Sequence, residues 1–322
     1  MILPQKIAQF QTEFTQKGAF MRQTVFEETL DGITIDRVIR DYEYTMPTKH
    51  FHDEYEIYYL VEGERFYFIG QHTYHIKKGS LVFINRNEIH KTGVASDSYH
   101  DRILIEFKEE PFASFFTQFG DLSLRDFFEK HSGVYEVNPN EQSYIENLFI
   151  EIQSEMHHKY PGYRLNIMSK LSQIILYGIR YVDSHKIAPT TSSSLVKHQK
   201  VDQIANYITA NCSEPISLEN IAEKYYLNKC YLSRIFKEVT GFTVNEYINI
   251  HRIDKAQKLL TDTNLSITEI ANICGYDSIT YFEKVFRTYR EISPLKYRTR
   301  YLNEVRKRST KGDDKNVNTD IS

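Results

Sequence analysis

One short helical pattern occurs twice in the last third of the chain, at residues 217–237 and 266–287. Each copy begins with a polar residue and an apolar pair. A turn follows, and then a second set of apolar residues with helical spacing. Ile221 recurs as Ile270 at a spacing of 49, whereas the apolar residues after the turn recur at a spacing of 50. The second copy therefore carries one extra residue in its turn. The repetition predicts one helix-turn-helix unit used twice.

The two turns differ in sequence. The second is Gly275-Tyr-Asp277, in which glycine suits the positive φ of a tight corner and Asp277 is expected to cap the next helix. The first is Tyr226-Leu-Asn228, which keeps a capping residue in Asn228 but places tyrosine where a left-handed backbone is unfavourable. We expect the first corner to be the less regular of the two.

Residues 244–261 connect the two copies and contain neither proline nor glycine. Their apolar residues recur with helical spacing, which predicts one amphipathic helix. At about 1.5 Å per residue this helix would be on the order of 27 Å long. The second helices of the two units are thus expected roughly one turn of duplex apart, about 34 Å.

With these features, residues 198–300 resemble the DNA-binding domain of the AraC/XylS family of bacterial transcription regulators. The segment Ser293-Pro294-Leu-Lys-Tyr-Arg298 is similar to the closing signature of that domain. Val244 stands where the family usually has proline, and Glu291 stands where it usually has glycine. The resemblance implies a regulator that binds double-stranded promoter DNA, most often an activator that works with RNA polymerase.

Helical periodicity assigns the second helix of each unit an inner and an outer face. The residues expected to face inward are Leu232, Ile235, Phe236, Phe282, Val285 and Phe286. By position, the resemblance places base contacts at Cys230, Ser233, Arg234, Ser278, Thr280 and Lys284. Arg234 is the best single candidate, because a guanidinium can bind a guanine edge with two hydrogen bonds. Phosphate contacts are expected at Lys237, Arg287, Lys296 and Arg298.

The charge distribution agrees with a nucleic-acid partner for the C-terminal part. Residues 197–308 carry 18 basic and 13 acidic side chains, a net charge of +5, whereas the whole chain of 322 residues carries −3. A net charge of +5 is modest for a DNA-binding domain, so affinity is expected to depend strongly on salt. The three cysteines show no metal-binding spacing, and the sequence shows neither a signal peptide nor a membrane span. We therefore expect a cytoplasmic protein that does not contact membranes.

Residues from about 20 to 137 contain short alternating or aromatic runs separated by turn residues. Strands are predicted at residues 54–60, 65–69, 73–76, 80–84 and 102–107. Gly63, Gly70 and Gly79 separate them. Several short strands at this spacing predict a sandwich or a small barrel.

One group of residues in this region resembles the two cupin motifs. The first is His50-Phe-His52-Asp-Glu-Tyr-Glu56, with Gly63 and Gly79 later, and the second ends in Asn87-Glu-Ile-His90. The resemblance implies that His50, His52, Glu56 and Tyr58 share the interior face of a barrel. Tyr44, Asn85 and Asn87 stand where the motifs usually have glycine, proline and glycine.

Three interpretations of this group remain open. The polar side chains can bind an organic effector, for example a sugar as is common in the family, through His50, His52, Glu56, Tyr58 and His90. The three imidazoles and the carboxylate can instead hold a divalent metal ion, or the group can be packing without a ligand. We favour the effector and expect no cofactor.

Residues 141–157 and 163–183 predict two amphipathic helices, which either pack on the barrel or form the seam of a homodimer. The predicted class is α+β, with five segments in chain order. They are a cupin-like effector-sensing barrel (residues 1–137), a helical connector that can serve in dimerisation (138–184), a flexible linker (185–197), a DNA-binding domain of two helix-turn-helix units (198–300) and a disordered tail (301–322).

The function that follows is a sequence-specific, effector-responsive transcription regulator, and not an enzyme. One alternative is a metal-dependent cupin enzyme fused to a DNA-binding module. Another is a constitutive DNA-binding regulator whose inert barrel serves only for dimerisation. The sequence leaves the effector, the operator and the direction of regulation open.

Overall fold

The structure is a computed structural model that describes residues 22–44, 52–110, 112, 115–116, 123–189 and 196–313. The chain divides into two compact units, one of residues 1–199 with 239–241 and the other of residues 200–238 with 242–322. The first combines an antiparallel sheet with helices and the second is helical, as the predicted α+β class requires. Among the described helices, none has both the length and the apolar character that a membrane crossing needs.

The N-terminal unit contains eight strands in the described part of the chain. They are β1 (Arg22–Leu30), β2 (Ile33–Arg40), β3 (Tyr55–Ile69), β4 (His72–Lys77), β5 (Ser80–Ile84), β6 (His90–Val94), β7 (His100–Phe107) and β8 (Gly133–Glu136). All pairings are antiparallel. The order is β1-β2-β7-β3-β5-β8, and β4 and β6 both pair with β3.

Strand β3 belongs to both halves of this sheet. Its first half pairs with β5 and β7, and its second half pairs with β4 and β6. The register shifts between Leu60 and Glu62, and Gly63 follows with φ +93°. A Cβ at Gly63 would lie 2.4 Å from the carbonyl oxygen of Tyr99, so both the backbone angle and the close approach require glycine here. The prediction of two separate strands at 54–60 and 65–69 was wrong, because this glycine allows a bend without ending the strand.

The bend brings the two halves of β3 face to face. The hydroxyl of Tyr67 donates a hydrogen bond of 2.6 Å to Oε1 of Glu56, and the rings of Tyr58 and Tyr67 lie 5.3 Å apart. The barrel interior, meaning the space between these halves, is lined by an apolar cluster of Tyr58, Leu60, Tyr67, Ile69, Ile76, Val82, Ile84 and Val134. Polar side chains that enter this interior are therefore buried.

Helices cover the opposite face of the sheet. They are α1 (Leu124–His131), α2 (Gln142–His158) and α3 (Tyr163–His185). Residues such as Ile57, Phe83 and Ile105 of the strands share one core with Phe149 of α2 and Leu171 of α3. The two connector helices begin and end within two residues of their predicted bounds, and their buried sides pack on the sheet.

Part of the predicted linker, residues 185–197, is instead paired with the sheet. Ile187 N–H donates to the carbonyl oxygen of Val134, and Lys186 forms a bridge with Tyr135. The next helix already begins at Val196, and residues 190–195 lie outside the described chain. The unpaired edge of β8 explains the difference, because it offers backbone donors and acceptors to the passing chain.

The C-terminal unit contains the duplicated helices. They follow α4 (Val196–Asn211) as α5 (Leu218–Lys224), α6 (Lys229–Thr240), α7 (Val244–Asp262), α8 (Ile267–Ile273), α9 (Ile279–Arg290) and α10 (Pro294–Asp313). The two helix-turn-helix units are α5–α6 and α8–α9, with α7 between them as predicted. Helices α7 and α8 both begin with a capping box, Thr243 with Glu246 and Ser266 with Glu269.

The structure differs from the sequence analysis at two helix ends. Ser278, and not Asp277, caps α9, because its side chain accepts a hydrogen bond from the backbone N–H of Tyr281. Helix α10 extends to Asp313, so residues 301–313 of the predicted disordered tail are helical. From Leu295 to Thr310 the sequence has no proline or glycine to end the helix, which composition alone did not reveal. Residues 314–322 lie outside the described chain.

Candidate functional sites

The two helix-turn-helix corners have the same backbone geometry. In the first, Leu227 N–H donates to Ala222 O at 2.8 Å, and in the second Tyr276 N–H donates to Ala271 O at 3.0 Å. Tyr226 and Gly275 precede these donors, with φ of 54° and 81°. The first corner is thus regular, although it holds a tyrosine in the left-handed region where the second has glycine.

The second helix of each unit buries the predicted face. Leu232, Ile235 and Phe236 of α6 are buried, as are Phe282, Val285 and Phe286 of α9. The outer faces carry polar side chains at equivalent positions 50 residues apart, among which Arg234 and Lys284 correspond and are both exposed. Each unit therefore presents a cation at the same place on its exposed helix.

Five of the six predicted base-contact residues are exposed, and Ser233 is half-buried. The exposed ones are Cys230, Arg234, Ser278, Thr280 and Lys284. On α6 a shallow, open cavity of about 700 Å³ is lined by Leu218, Lys229, Cys230, Ser233, Arg234, Lys237 and Glu238. The residues of α6 that line it include Cys230, Ser233 and Arg234, and a recognition helix reads base edges with such side chains.

The predicted phosphate contacts divide into two groups. Lys237, Arg287 and Lys296 are exposed. Arg298 is half-buried, and its guanidinium donates to the carbonyl oxygens of Leu260 and Leu265 at 3.1 and 2.7 Å. Arg298 therefore holds the end of α7 instead of reaching outward, a role that position in the motif did not indicate.

The sequence analysis assigned no DNA contact to an aromatic pair on this surface. Tyr231 on α6 is 41% exposed, Tyr281 on α9 is 51% exposed, and the two are 50 residues apart. The guanidinium of Arg234 lies 5.6 Å from the ring centre of Tyr231. The spacing of 50 was the signal that would have paired these tyrosines with the other outer-face residues.

The barrel interior brings together three of the cupin-like residues. Oε2 of Glu56 lies 3.2 Å from Nε2 of His90 and 3.5 Å from Nε2 of His52. Oε1 of Glu56 accepts the hydrogen bond from Tyr67, and Nδ1 of His90 lies 2.8 Å from the carbonyl oxygen of Glu88. His50, the fourth predicted ligand, lies outside the described residues.

Electrostatics favour the ionised form of Glu56 in this group. Burial alone would raise the pKa of Glu56, but the charge interaction with His90 and the contacts with His52 and Tyr67 hold that pKa well below its usual value. Burial also opposes protonation of His52, yet Glu56, Glu106 and other nearby carboxylates raise the pKa of His52 above its usual value. The interior thus presents a carboxylate beside two imidazoles.

The donor set also fits a divalent ion. The candidate ligand atoms of His52, Glu56 and His90 lie within 4.8 Å of one another. With metal–ligand bonds of about 2.0 to 2.2 Å, a tetrahedral site separates its ligand atoms by about 3.3 to 3.6 Å. Oε2 of Glu56 is buried and accepts no hydrogen bond within the described part of the protein. The same atom can accept a hydrogen bond from a ligand hydroxyl.

Tyr58 lies further along the same interior face. It is 4% exposed, and burial raises the pKa of its hydroxyl to about 12. The hydroxyl is therefore neutral and can donate or accept a hydrogen bond at neutral pH.

Comparison with known proteins follows the same division of the chain. The model of the AraC-like ligand-binding domain matches residues 33–175, and a helix-turn-helix domain model matches residues 221–300. The uncharacterised HTH-type transcriptional regulator YfiF of Bacillus subtilis (strain 168) is 29% identical over 269 residues, which are 78% of this chain and 79% of YfiF.

Two further relatives carry functional names. The HTH-type transcriptional activator RhaR of Mannheimia succiniciproducens is 24% identical over 272 residues, 84% of this chain and 92% of that protein. The xylose operon regulatory protein of Escherichia coli (strain K12) is 29% identical over 128 residues, 40% of this chain and 32% of that protein. A ligand-binding domain followed by a helix-turn-helix domain, matched in this order on one chain with duplicated recognition helices, shows that the protein belongs to the AraC family of transcription regulators.

Proposed function

We propose that the protein regulates transcription by binding a promoter operator through α6 and α9, and that a small molecule in the barrel interior controls this binding. The observation that carries the DNA-binding half is the paired exposure of Arg234 and Lys284 at equivalent positions of two recognition helices. Cys230, Ser233, Ser278 and Thr280 would complete the base-reading surface. Lys237, Arg287 and Lys296 would contact phosphates.

The effector site would lie at His52, Glu56, Tyr58 and His90, with His50 as a further predicted member. A buried carboxylate, imidazoles and phenols suit a hydroxyl-rich molecule such as a sugar, because each group can exchange hydrogen bonds with hydroxyls. The relative named for the xylose operon is consistent with a sugar effector. Occupation of the site would shift the equilibrium between conformers that differ in operator affinity.

Activation and dimerisation belong to the same proposal. The relative RhaR is named a transcriptional activator, which supports activation and RNA polymerase as a partner here. Among the connector-helix residues whose exposure is described, the exposed large apolar side chains are Tyr144 at 49%, Ile150 at 43% and Leu165 at 65%. These residues support a homodimer seam on α2 and α3.

A bound metal is a second candidate for the barrel, favoured by the spacing of the three donor atoms. Elemental analysis of the purified protein checks it. Stoichiometric zinc, iron or manganese that is lost in a His52→Ala variant would support a metal centre, and its absence from the wild type under metal-replete conditions would reject it.

Fluorescence anisotropy tests the DNA-binding surface. The full-length protein is titrated with duplex DNA from upstream of its own gene, across a salt series and with unrelated DNA as competitor. We expect tight, competitor-resistant binding, weakened about 5- to 150-fold by Arg234→Ala and by Lys284→Ala, since a good base contact contributes about 1 to 3 kcal/mol.

Lys130→Ala is the matched control, because it removes one exposed cation from α1 of the other unit. Lys237→Ala should weaken binding to all sequences and reduce the salt slope by about 1. Weak binding that is equal on all DNA, or equal loss in Lys130→Ala and Arg234→Ala, would reject the assignment.

A further inference from the structure

Buried arginines lie at the end of the barrel interior away from Glu56. On β7 the register places Glu106 opposite Glu56 but Arg102 opposite Leu60, and His100 opposite both Gly63 and Arg40 of β2. On β6, His90 is opposite Ile69 while Val94 is opposite Arg65. One end of the interior is therefore acidic and rich in imidazole, and the other is cationic.

Arg40 and Arg65 meet at one residue, Tyr44. The guanidinium carbon of Arg40 lies 4.0 Å from the centre of the Tyr44 ring, and Nη2 of Arg65 donates to the Tyr44 carbonyl oxygen. Arg65 is 0% exposed and Arg40 is 6% exposed. Both charges are thus held in the protein interior, close to each other.

Within the described residues, these two guanidiniums have no anionic partner, unlike Arg37 and Arg102 of the same unit. Arg102 is paired with Asp36, and Arg37 with Asp101 at 2.7 Å, whereas no described carboxylate pairs with Arg40 or Arg65. Nε and Nη1 of Arg65 and Nε of Arg40 are buried and donate no hydrogen bond to any described residue. Burial lowers the pKa of both side chains, and the charge of Arg102 lowers the pKa of Arg40 further, as that of Arg40 does for Arg65.

A buried charge without an anionic partner destabilises a fold, so its retention points to a ligand that supplies the opposite charge. The planar guanidinium matches carboxylate and phosphate oxygens with two parallel hydrogen bonds. Resting on the effector site proposed above, we propose that the effector is an acidic sugar-like molecule whose carboxylate or phosphate binds Arg40 and Arg65. Its hydroxyls would reach the Glu56 end of the same interior.

The first test measures the thermal unfolding of the full-length protein without ligand. Arg65→Met should raise the midpoint of the N-terminal unit, because it removes an uncompensated buried charge at nearly constant volume. Arg37→Met is the matched control and should lower the midpoint, because it leaves Asp101 without its partner. If Arg65→Met lowers the midpoint as much as Arg37→Met, Arg65 has a structural role and the inference is wrong.

The second test adds anions at constant ionic strength. Inorganic phosphate, D-glucuronate and D-glucose 6-phosphate are compared with chloride and with neutral D-glucose. We expect at least one oxyanion to raise the midpoint by about 3 °C in the wild type and in Arg37→Met, but not in Arg65→Met or Arg40→Met. Glucuronate distinguishes a carboxylate effector from the two phosphates. A midpoint that no oxyanion raises, or a rise retained in both arginine variants, overturns the inference.

The DNA-binding assay separates this inference from the proposed function. If D-glucose changes operator affinity while all three oxyanions leave the midpoint unchanged, the anionic effector is rejected and effector control stands. If the operator is not bound specifically at all, the proposed function fails, whatever the thermal data show.

Discussion

Gly275 at the corner of the second helix-turn-helix unit is expected to tolerate no side chain. Its φ is +81°, and a Cβ would lie 2.4 Å from the carbonyl oxygen of Ser213, with the carbonyl carbon at 2.8 Å and Cα at 3.0 Å. Ser213 lies in the segment before α5, where Lys255 of α7 also donates to its hydroxyl at 2.7 Å. The corner thus joins the second unit to the start of the first.

The cost of Gly275→Ala has two parts. An alanine in the left-handed region costs about 1 to 2 kcal/mol, partly offset by about 0.5 to 1 kcal/mol because alanine restricts the unfolded chain. The contact is with backbone, which cannot rotate away, so displacement of the chain adds about 1 to 3 kcal/mol. We expect a loss of about 1 to 4.5 kcal/mol, centred on about 3 kcal/mol, in the free energy of unfolding of the C-terminal unit.

Urea denaturation of the full-length protein, followed by far-UV circular dichroism, measures this loss. Gly162→Ala is the matched control, because Gly162 has φ +85° and no atom lies within 4 Å of the position that a Cβ would occupy, so only the backbone contribution remains. That control should lose about 0 to 1.5 kcal/mol, centred below about 1 kcal/mol. Equal losses in Gly275→Ala and Gly162→Ala would refute the claim that the approach to Ser213 requires glycine.

Three other predictions concern stability. Glu291→Gly should stabilise the C-terminal unit by about 0.5 to 1 kcal/mol in the same urea assay, since Glu291 ends α9 with φ +61°; an unchanged midpoint would contradict this. Val244→Pro should raise the free energy of unfolding of the C-terminal unit by about 0.5 kcal/mol, because Val244 is the first residue of α7 and Pro294 holds the same position in α10. A loss of helicity in this variant would show that α7 needs the backbone N–H of residue 244. Burial lowers the pKa of His100 to about 4, below the value of about 6.5 in the unfolded chain. The contribution of the neutral imidazole to the free energy of unfolding is therefore complete above about pH 6.5 and is lost as the pH falls towards 4. At pH 5 the loss of unfolding free energy due to His100 is about 2 kcal/mol. Between pH 7 and pH 5, a His100→Gln variant should therefore lose about 2 kcal/mol less stability than the wild type in the urea assay.

Local patterns predicted the helices well. The helix between the two units was predicted at residues 244–261 and is observed at Val244–Asp262, because its apolar spacing needs no knowledge of partners. The inward and outward faces of α6 and α9 followed from the same spacing. Arg298 was assigned to DNA because position in a motif does not show that Leu260 and Leu265 offer free carbonyl groups nearby.

The barrel was less predictable. Strand β1 has no fully buried residue, so its sequence lacks the apolar alternation that marks a strand. The alternation that places Glu56 and Tyr58 inside predicts that Arg65 faces outward. The register shift between Leu60 and Glu62 reverses this alternation for the rest of β3, so Arg65 and Tyr67 face inward. A single-residue shift of register cannot be read from alternation, and it moves every later side chain to the other face.

The bend of β3 at Gly63 has a mechanical consequence. The bend divides the strand into two arms, with Glu56 on one arm and Arg65 on the other. A molecule that binds both side chains would bridge the arms and fix the angle between them. Backbone amides of residues 60–64 should then exchange hydrogen more slowly when the barrel is occupied, which makes this short segment a sensitive reporter of ligand binding.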